Sequence, residues 1–284
     1  MILEFDIKGL FDNISHELLM KAVRKHTESR WICLYIERWL KAPLIKGDSG
    51  LQTRERGTPQ GGVISPVLAN LFLHYVFDKW MQKNHPNLKW CCYADDGLVH
   101  CRSEEEAKQI LAALQQRFSE CELELHPGKT RIAYCKDGRR KGRYENTGFD
   151  FLGYTYRPRV VKNSKRNSLF VSFTPAVSKV AQKAMRFKIR KLKVRTRTDL
   201  NIKEIAVWLN PMINGWLNYY GKYCRSEMDK VFKAFNKTLV RWARSKYKAL
   251  RRHKTRAAEY IRRMAKEMPW LFAHWKVGVT DSFG

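Results

Sequence analysis

The chain has 284 residues, 44% of them hydrophobic, enough to bury one large core or two ordinary ones. No apolar run approaches the roughly 18 residues of a membrane span, and Asp6 and Lys8 interrupt the first apolar stretch, so neither a membrane span nor a secretory leader is expected. Lys and Arg number 55 against 27 Asp and Glu, and the excess is lopsided: net +3 over residues 1–150 and +25 over 151–284, which points to a polyanion and favours nucleic acid over lipid.

In chain order, "ILEFDI" reads as a buried strand ending on the acid Asp6, and "SHELLMKAVRKH" as a helix capped at Ser15 or Asn13. "SPVLANLFLHYVFDKWM" reads as a helix with Ser65 as its cap and Pro66 at its first position. "KWCCYADDGLVHC" reads as strand–turn–strand with Asp95-Asp96-Gly97 at the turn, and a helix follows from about Glu104 to Cys121. Short strands lead to "FDFLGYTYRPR", and the polar stretch 136–148 reads as a loop.

Beyond Pro175 the pattern is helical. Lys179 to Arg197 holds nine basic residues and no acid. "IKEIAVWLNPMINGWLNYYGKY" keeps helical spacing, with a kink or break expected at Pro211, where proline costs about 3 kcal/mol in a helix interior. Phe232, Phe235, Leu239 and Trp242 mark one face of a later basic helix. The fold class is therefore α+β: an antiparallel sheet with packed helices, then an all-α basic domain.

The seven cysteines are odd in number and never spaced C-x-x-C, so a disulfide framework or zinc site is not expected and a reducing, cytoplasmic setting fits. None of the eight histidines has metal-ligand spacing; all read as structural or surface. Asp-Gly is an ordinary turn former, which accounts for Asp96-Gly97 but poorly for Asp95. If the strand of Asp6 lies beside the "YADD" hairpin, three carboxylates converge, and divalent cations with a taste for oxygen, Mg²⁺ above all, would neutralise them. Two such ions can activate a 3′-hydroxyl and stabilise a leaving pyrophosphate.

"FDIKGLFDNISH", "GTPQGGVISPVLANLFL" and "YADD" stand in the order and spacing of reverse-transcriptase palm motifs, and "FDFLGYTYRP" with "WLNPMINGWLNYYGKY" narrows the resemblance to the reverse transcriptase/maturase proteins of group II introns. The resemblance implies a palm over 1–150, primer-grip-like strands and a connector over 151–175, and a helical thumb or maturase-specific domain over 176–284. It implies that Asp6, Asp95 and Asp96 hold two Mg²⁺ ions, with Mn²⁺ as a substitute. Phe11 becomes an aromatic gate under the sugar, or else a core residue. Gln60 and Gly61 would meet the incoming nucleotide, although Gly61 and Gly62 also suit a helix-entry turn. Lys129 of "LHPGKT" would lie near the triphosphate as a catalytic residue, or else is a surface turn lysine.

Phe151, Leu152, Gly153 and Tyr154 resemble a primer grip, and a buried strand would look much the same. Lys183, Arg186, Arg190, Lys237, Arg241 and Arg244 are the expected RNA contacts. Trp208, Trp216, Tyr219, Tyr220 and Trp242 are read mostly as core. The implied partners are intron RNA, an RNA template, a DNA primer and deoxynucleoside triphosphates, with no membrane and no zinc endonuclease segment. The resemblance also implies that the family's fingers region, which lies upstream of the Asp6 strand, is missing. Two functions remain open: RNA-directed DNA polymerisation coupled to splicing and mobility, or a truncated, inactive RNA-binding splicing cofactor or decayed fragment.

Overall fold

The structure is a computed structural model describing residues 1–45, 51–59, 61–140, 142–163, 167–280 and 283. The chain divides into two compact units, residues 1–135 with 142–147, and residues 136–141 with 148–284. Among the described residues no helix is long and apolar enough to cross a membrane.

The first unit begins with β1 (Ile2–Asp6), α1 (Leu10–Asn13), α2 (His16–Arg24) and α3 (Arg30–Lys41), then the short pair β2 (Leu44–Ile45) and β3 (Leu51–Gln52). Next come α4 (Ser65–Leu73), a π-helical turn (His74–Asp78) and α5 (Lys79–Asn84). The hairpin β4 (Lys89–Tyr93) and β5 (Asp96–His100), α6 (Glu104–Glu120) and β6 (Arg131–Ala133) complete it. Four strands form an antiparallel sheet in the order β4-β5-β1-β6. β1 lies between β5 and β6, with Leu3 and Phe5 on its packed face among the most buried residues and Glu4 and Asp6 on the other face. Phe5 meets Phe77 edge-on at 5.2 Å between centroids and Phe118 of α6 at 5.9 Å, so sheet and helices share one aromatic centre. α6 starts where Ser103 Oγ accepts from the Glu106 amide at 3.1 Å.

Two local expectations change here. Ser65 is the first residue of α4 rather than its cap; Ile64 precedes it, and the Ser65 hydroxyl donates to the Pro59 carbonyl at 2.6 Å. The β4–β5 turn lies at Ala94-Asp95, because Tyr93 already pairs with Asp96 and Gly97 is a strand residue opposite Phe5. A Cβ at Gly97 would sit 2.1 Å from Phe5 Cζ, so the glycine makes room for a ring rather than for a turn. The strained position is Ala94 instead, at φ 52.

The second unit opens with β7 (Phe149–Phe151), β8 (Tyr154–Asn163) and β9 (Ser168–Val177), antiparallel in that order. It continues with α7 (Lys179–Lys191), a 3-10 turn (Val194–Thr196), α8 (Ile202–Tyr220), α9 (Ser226–Lys246) and a second 3-10 turn (Lys248–Leu250). α10 (Lys254–Glu267) and α11 (Ala273–Lys276) close it. Strand structure therefore runs past Pro175, which pairs with Tyr156 in β9; as a strand at the sheet's edge, β9 tolerates a residue with no amide hydrogen.

α8 starts on a capping box, with Asn201 Oδ1 accepting from the amides of Lys203 and Glu204 at 2.9 and 3.0 Å, and Glu204 Oε2 accepting from the Asn201 amide at 2.6 Å. It then runs without a break through Pro211. The carbonyl that loses its partner belongs to Val207, itself 76% exposed, where water can replace the bond, while Leu209 and Ile213 are buried. Met228, Val231, Phe232, Phe235, Leu239 and Trp242 of α9 are all buried. Of the aromatic residues expected in the core only Trp242 is; Trp216 and Tyr220 are half-buried, and Trp208 and Tyr219 are exposed. The reason is the face of α8 that each occupies: Trp208 turns away from Leu209 and Ile213 and carries the Arg197 guanidinium, 5.3 Å above its ring.

Candidate active site

The sheet brings the acids of the first unit to one end. Asp6, the last residue of β1, pairs in register with Asp96, the first residue of β5, so their side chains share a face across adjacent strands. Asp95 lies in the turn just before, and its carbonyl accepts from the Ile7 amide at 2.9 Å. On the other side of β1 the His126 amide donates to the Asp6 carbonyl at 2.8 Å, and Lys8 donates to the Glu124 carbonyl at 2.9 Å. The backbone of Asp6 is thus held from both flanks.

The loop after His126 winds back on itself: the amides of Lys129 and Thr130 both donate to the His126 carbonyl, at 3.2 and 3.0 Å. That turn aims Lys129 at the acids, and its Nζ lies 2.7 Å from Asp6 Oδ2. Asp6 is buried, whereas the Lys129 side chain is 59% exposed. The bond to Asp6 holds the Lys129 ammonium above its ordinary range. Desolvation, then the charges of Asp95 and Asp6, push the Asp96 carboxyl up, and Lys129 opposes them. Three carboxylates therefore sense one another at the end of two strands. Such a group takes up a cation readily, and Lys129 supplies one to Asp6.

The glycine-rich segment is stitched to the same end. The Gly57 amide donates to the Ile14 carbonyl at 2.7 Å and the Thr58 amide to the Phe11 carbonyl at 2.6 Å. His16 Nε2 lies 2.7 Å from the Gly57 carbonyl. Gly57 has φ 81, and a Cβ there would meet the Asp12 carbonyl oxygen at 2.6 Å, so only glycine fits. Phe11 is half-buried on α1 and packs against the core while its backbone anchors Thr58. Gly61, at φ 84, has open space where a side chain would be. Gln60 lies outside the described residues. Gly57, Thr58 and His16 escape a sequence reading, although the "GT" before "PQGG" is the visible trace of the tie.

In the second unit Phe151 and Tyr154 pair across a two-residue turn in which Leu152 and Gly153 have φ 49 and 78, both left-handed as a type I′ hairpin demands. This turn is clasped by α8. The Tyr154 hydroxyl donates to the Tyr219 carbonyl, and the Tyr219 hydroxyl donates to the Leu152 carbonyl at 3.0 Å. A Cβ on Gly153 would fall 2.7 Å from the Tyr220 hydroxyl. Lys183, Arg186 and Arg190 share an exposed face of α7, and Lys237 and Arg241 an exposed face of α9. Arg244 is half-buried and donates to the Arg251 carbonyl through Nε and Nη2, at 3.3 and 3.2 Å.

A family model described as reverse transcriptase (RNA-dependent DNA polymerase) matches residues 1–156, and one described as group II intron, maturase-specific domain matches residues 182–260. The Escherichia coli (strain K12) protein YkfC is 28% identical over 186 residues, covering 54% of this chain and 46% of that protein. The Lactococcus lactis group II intron-encoded protein LtrA is 41% identical over 71 residues, covering 25% of this chain and 12% of LtrA. A telomerase structure from Candida albicans, in complex with a fragment of telomeric RNA, aligns over 98% of this chain and 48% of that one, at 12% identity and a TM-score of 0.45. The chain spans less than half the length of these relatives.

Proposed function

Since this chain belongs to the reverse transcriptase family and carries a group II intron maturase-specific domain, we propose that it is an RNA-directed DNA polymerase whose basic helical region binds intron RNA in splicing and mobility. The observation that carries the catalytic half is the in-register pair of Asp6 and Asp96, with Asp95 beside it and Lys129 bonded to Asp6. Among the described residues no three His, Cys, Asp or Glu side chains already converge as a metal-holding set. The fit rests on donor chemistry: crowded carboxylates, oxygen ligands only, which suit Mg²⁺ or Mn²⁺.

Asp6 and Asp95 would hold two such ions, and Asp96 would add charge at the rim. Bound there, the ions would supply Lewis acidity to the primer 3′-hydroxyl and the leaving pyrophosphate. Lys129, whose ammonium the bond to Asp6 holds above its ordinary range, would turn to the triphosphate and give its proton to the departing pyrophosphate. Phe11, anchored through Thr58, would stack under the sugar and exclude a 2′-hydroxyl, while Gly61 would let the nucleotide approach the backbone. The Phe151–Tyr154 turn, clasped by Tyr219, would hold the primer end.

Primer extension on an RNA template with Mg²⁺ tests this reading. Wild-type protein should extend the primer, and Asp95→Asn should lower the rate by roughly 10²–10³-fold. Extension that survives Asp95→Asn refutes the site. A second reading, an RNA-binding splicing cofactor without polymerase activity, is favoured by the net +25 over residues 151–284. It predicts tight intron-RNA binding by protein that extends no primer, and it fails if intron RNA binds no better than unrelated RNA of equal length.

A further inference from the structure

Six basic side chains of the second unit line one concave pocket: Arg195 from the turn after α7, Arg241, Arg244 and Lys246 from the end of α9, and Lys248 and Arg251 from the turn that follows. The cavity is about 700 Å³, within the size range of ligand clefts, and among the described residues no acid lines it. The fold itself employs two of the six. Lys246 Nζ donates to the carbonyls of Thr198 and Leu200 at 2.8 and 2.9 Å, and Arg244 grips the Arg251 carbonyl. Those bonds suit cations at a helix C-terminus and brace the walls.

Arg195, Arg241, Lys248 and Arg251 have no such explanation. All four are exposed, and among the described residues none has an acid within ion-pair reach. Asp199, in the same stretch, is already taken by Arg197 through contacts of 2.9 to 3.3 Å. A solvated basic face would spread its charges over convex surface, where water screens them. Gathered around a concavity they repel one another, and an anion of matching density would offset that repulsion.

We propose that this pocket receives clustered phosphates, two or more groups packed closer than along an extended nucleic-acid backbone. Two guanidinium forks from different elements, Arg195 of the turn after α7 and Arg241 of α9, suit bidentate contacts to phosphate oxygens, with Lys248 and Arg251 adding charge. The carrier is either an RNA bearing a 5′-triphosphate or a free polyphosphate. The RNA alternative deepens the RNA-binding reading above and rests on it; the pocket does not.

Titration calorimetry of the full chain with inorganic tripolyphosphate should give one saturable site per chain. Arg241→Gln combined with Arg251→Gln should weaken it about tenfold or more. Lys233→Gln combined with Arg262→Gln, an equal loss of charge at exposed positions outside the pocket, should change it by less than about twofold. Circular dichroism establishes that both variants fold. Anisotropy with one RNA carrying either a 5′-triphosphate or a 5′-hydroxyl identifies the carrier. A preference for the triphosphate that vanishes in the pocket variant supports the RNA end; a selective loss of tripolyphosphate without that preference supports a free polyphosphate. Equal weakening in both double variants, or no saturable site, overturns the pocket. Salt-dependent RNA binding would survive that outcome, so the two readings fail separately.

Discussion

Gly97→Ala should destabilise the first unit, and the structure sets both the sign and the scale. Gly97 is not among the residues with positive φ, so alanine fits its backbone. If backbone freedom were all that mattered, the substitution would be neutral or would stabilise by about 0.4–1 kcal/mol. The new Cβ, however, would lie 2.1 Å from Phe5 Cζ and 2.5 Å from Cε1 and Cε2, well inside any tolerated contact. Phe5 has no room to withdraw. It is 1% exposed, and Phe77 and Phe118, whose planes differ by 12°, meet it at 5.2 and 5.9 Å. The cost should be that of overpacking a filled core, about 2–3 kcal/mol.

Urea unfolding of four proteins measures it: wild type, Gly97→Ala, Phe5→Leu and the double variant. Leucine removes the far edge of the ring, so the double variant should recover about 1–2 kcal/mol relative to the sum of the single losses. Because Phe5–Gly97 is the pair next to Asp6–Asp96 in the register, primer extension by Gly97→Ala should fall and return in the double variant. A stabilising or neutral Gly97→Ala, or strictly additive losses, would refute the claim that this glycine serves the ring.

Asp96→Asn should stabilise the chain at neutral pH, because an acid whose carboxyl is pushed up on folding opposes folding once ionised. The gain should be about 0.5 kcal/mol for this exposed residue and should vanish below the ordinary aspartate range near pH 3.9; a constant gain at all pH values would contradict it. His274 behaves as a buried base: burial pushes it down to about 3, its Nε2 donates to Asn236 Oδ1 at 2.7 Å, and among the described residues its Nδ1 has no partner for a second proton. Stability should thus be complete above about pH 6.5 and fall as pH drops toward 3, by up to about 1.4 kcal/mol per unit. The acid-induced loss of urea midpoint should be smaller in His274→Phe, and equal losses in the two proteins would exclude His274 as the cause. RNA affinity, measured by anisotropy, should fall by about 10²-fold or more between 50 and 200 mM salt, whereas a flat response would remove phosphate contact as its basis. Phe11→Ala should reduce discrimination against ribonucleotides in primer extension, and unchanged discrimination in an active variant would leave Phe11 a core residue.

What the sequence discloses here depends on how local the cause is. β1 and the β4–β5 hairpin are legible because short apolar runs and an adjacent turn specify them without help. The partner that determines Gly97 lies 92 residues earlier, at Phe5, so the residue looks like half of an Asp-Gly turn. Pro211 looks like a break because propensity favours one, whereas buried Leu209 and Ile213 keep α8 continuous on its packed face. The ten-residue strands β8 and β9 carry neither a clean alternation nor a continuous apolar run, since Arg157, Val160, Leu169 and Phe170 are all exposed. With neither face fully buried, the period-two signal is lost.

The same distinction separates the two charge clusters. At the acid site Asp6 and Asp96 stand on paired strands whose register brings them together, with Asp95 in the adjoining turn, and the local motifs "FDI" and "YADD" are already suggestive. In the second unit the sequence displays abundant Lys and Arg but not the curvature of the surface that carries them. Arg195 and Arg251 look alike on paper to any lysine on a solvated helix. The stretch between α7 and α8 is joined to the end of α9 through the bonds of Lys246 to Thr198 and Leu200, where part of that excess lines a concavity. A spread of positive charge binds any polyanion in proportion to its contacts, whereas a walled cluster discriminates by how closely the phosphates are spaced. Net charge alone therefore accounts for affinity, and the fold must supply the selectivity.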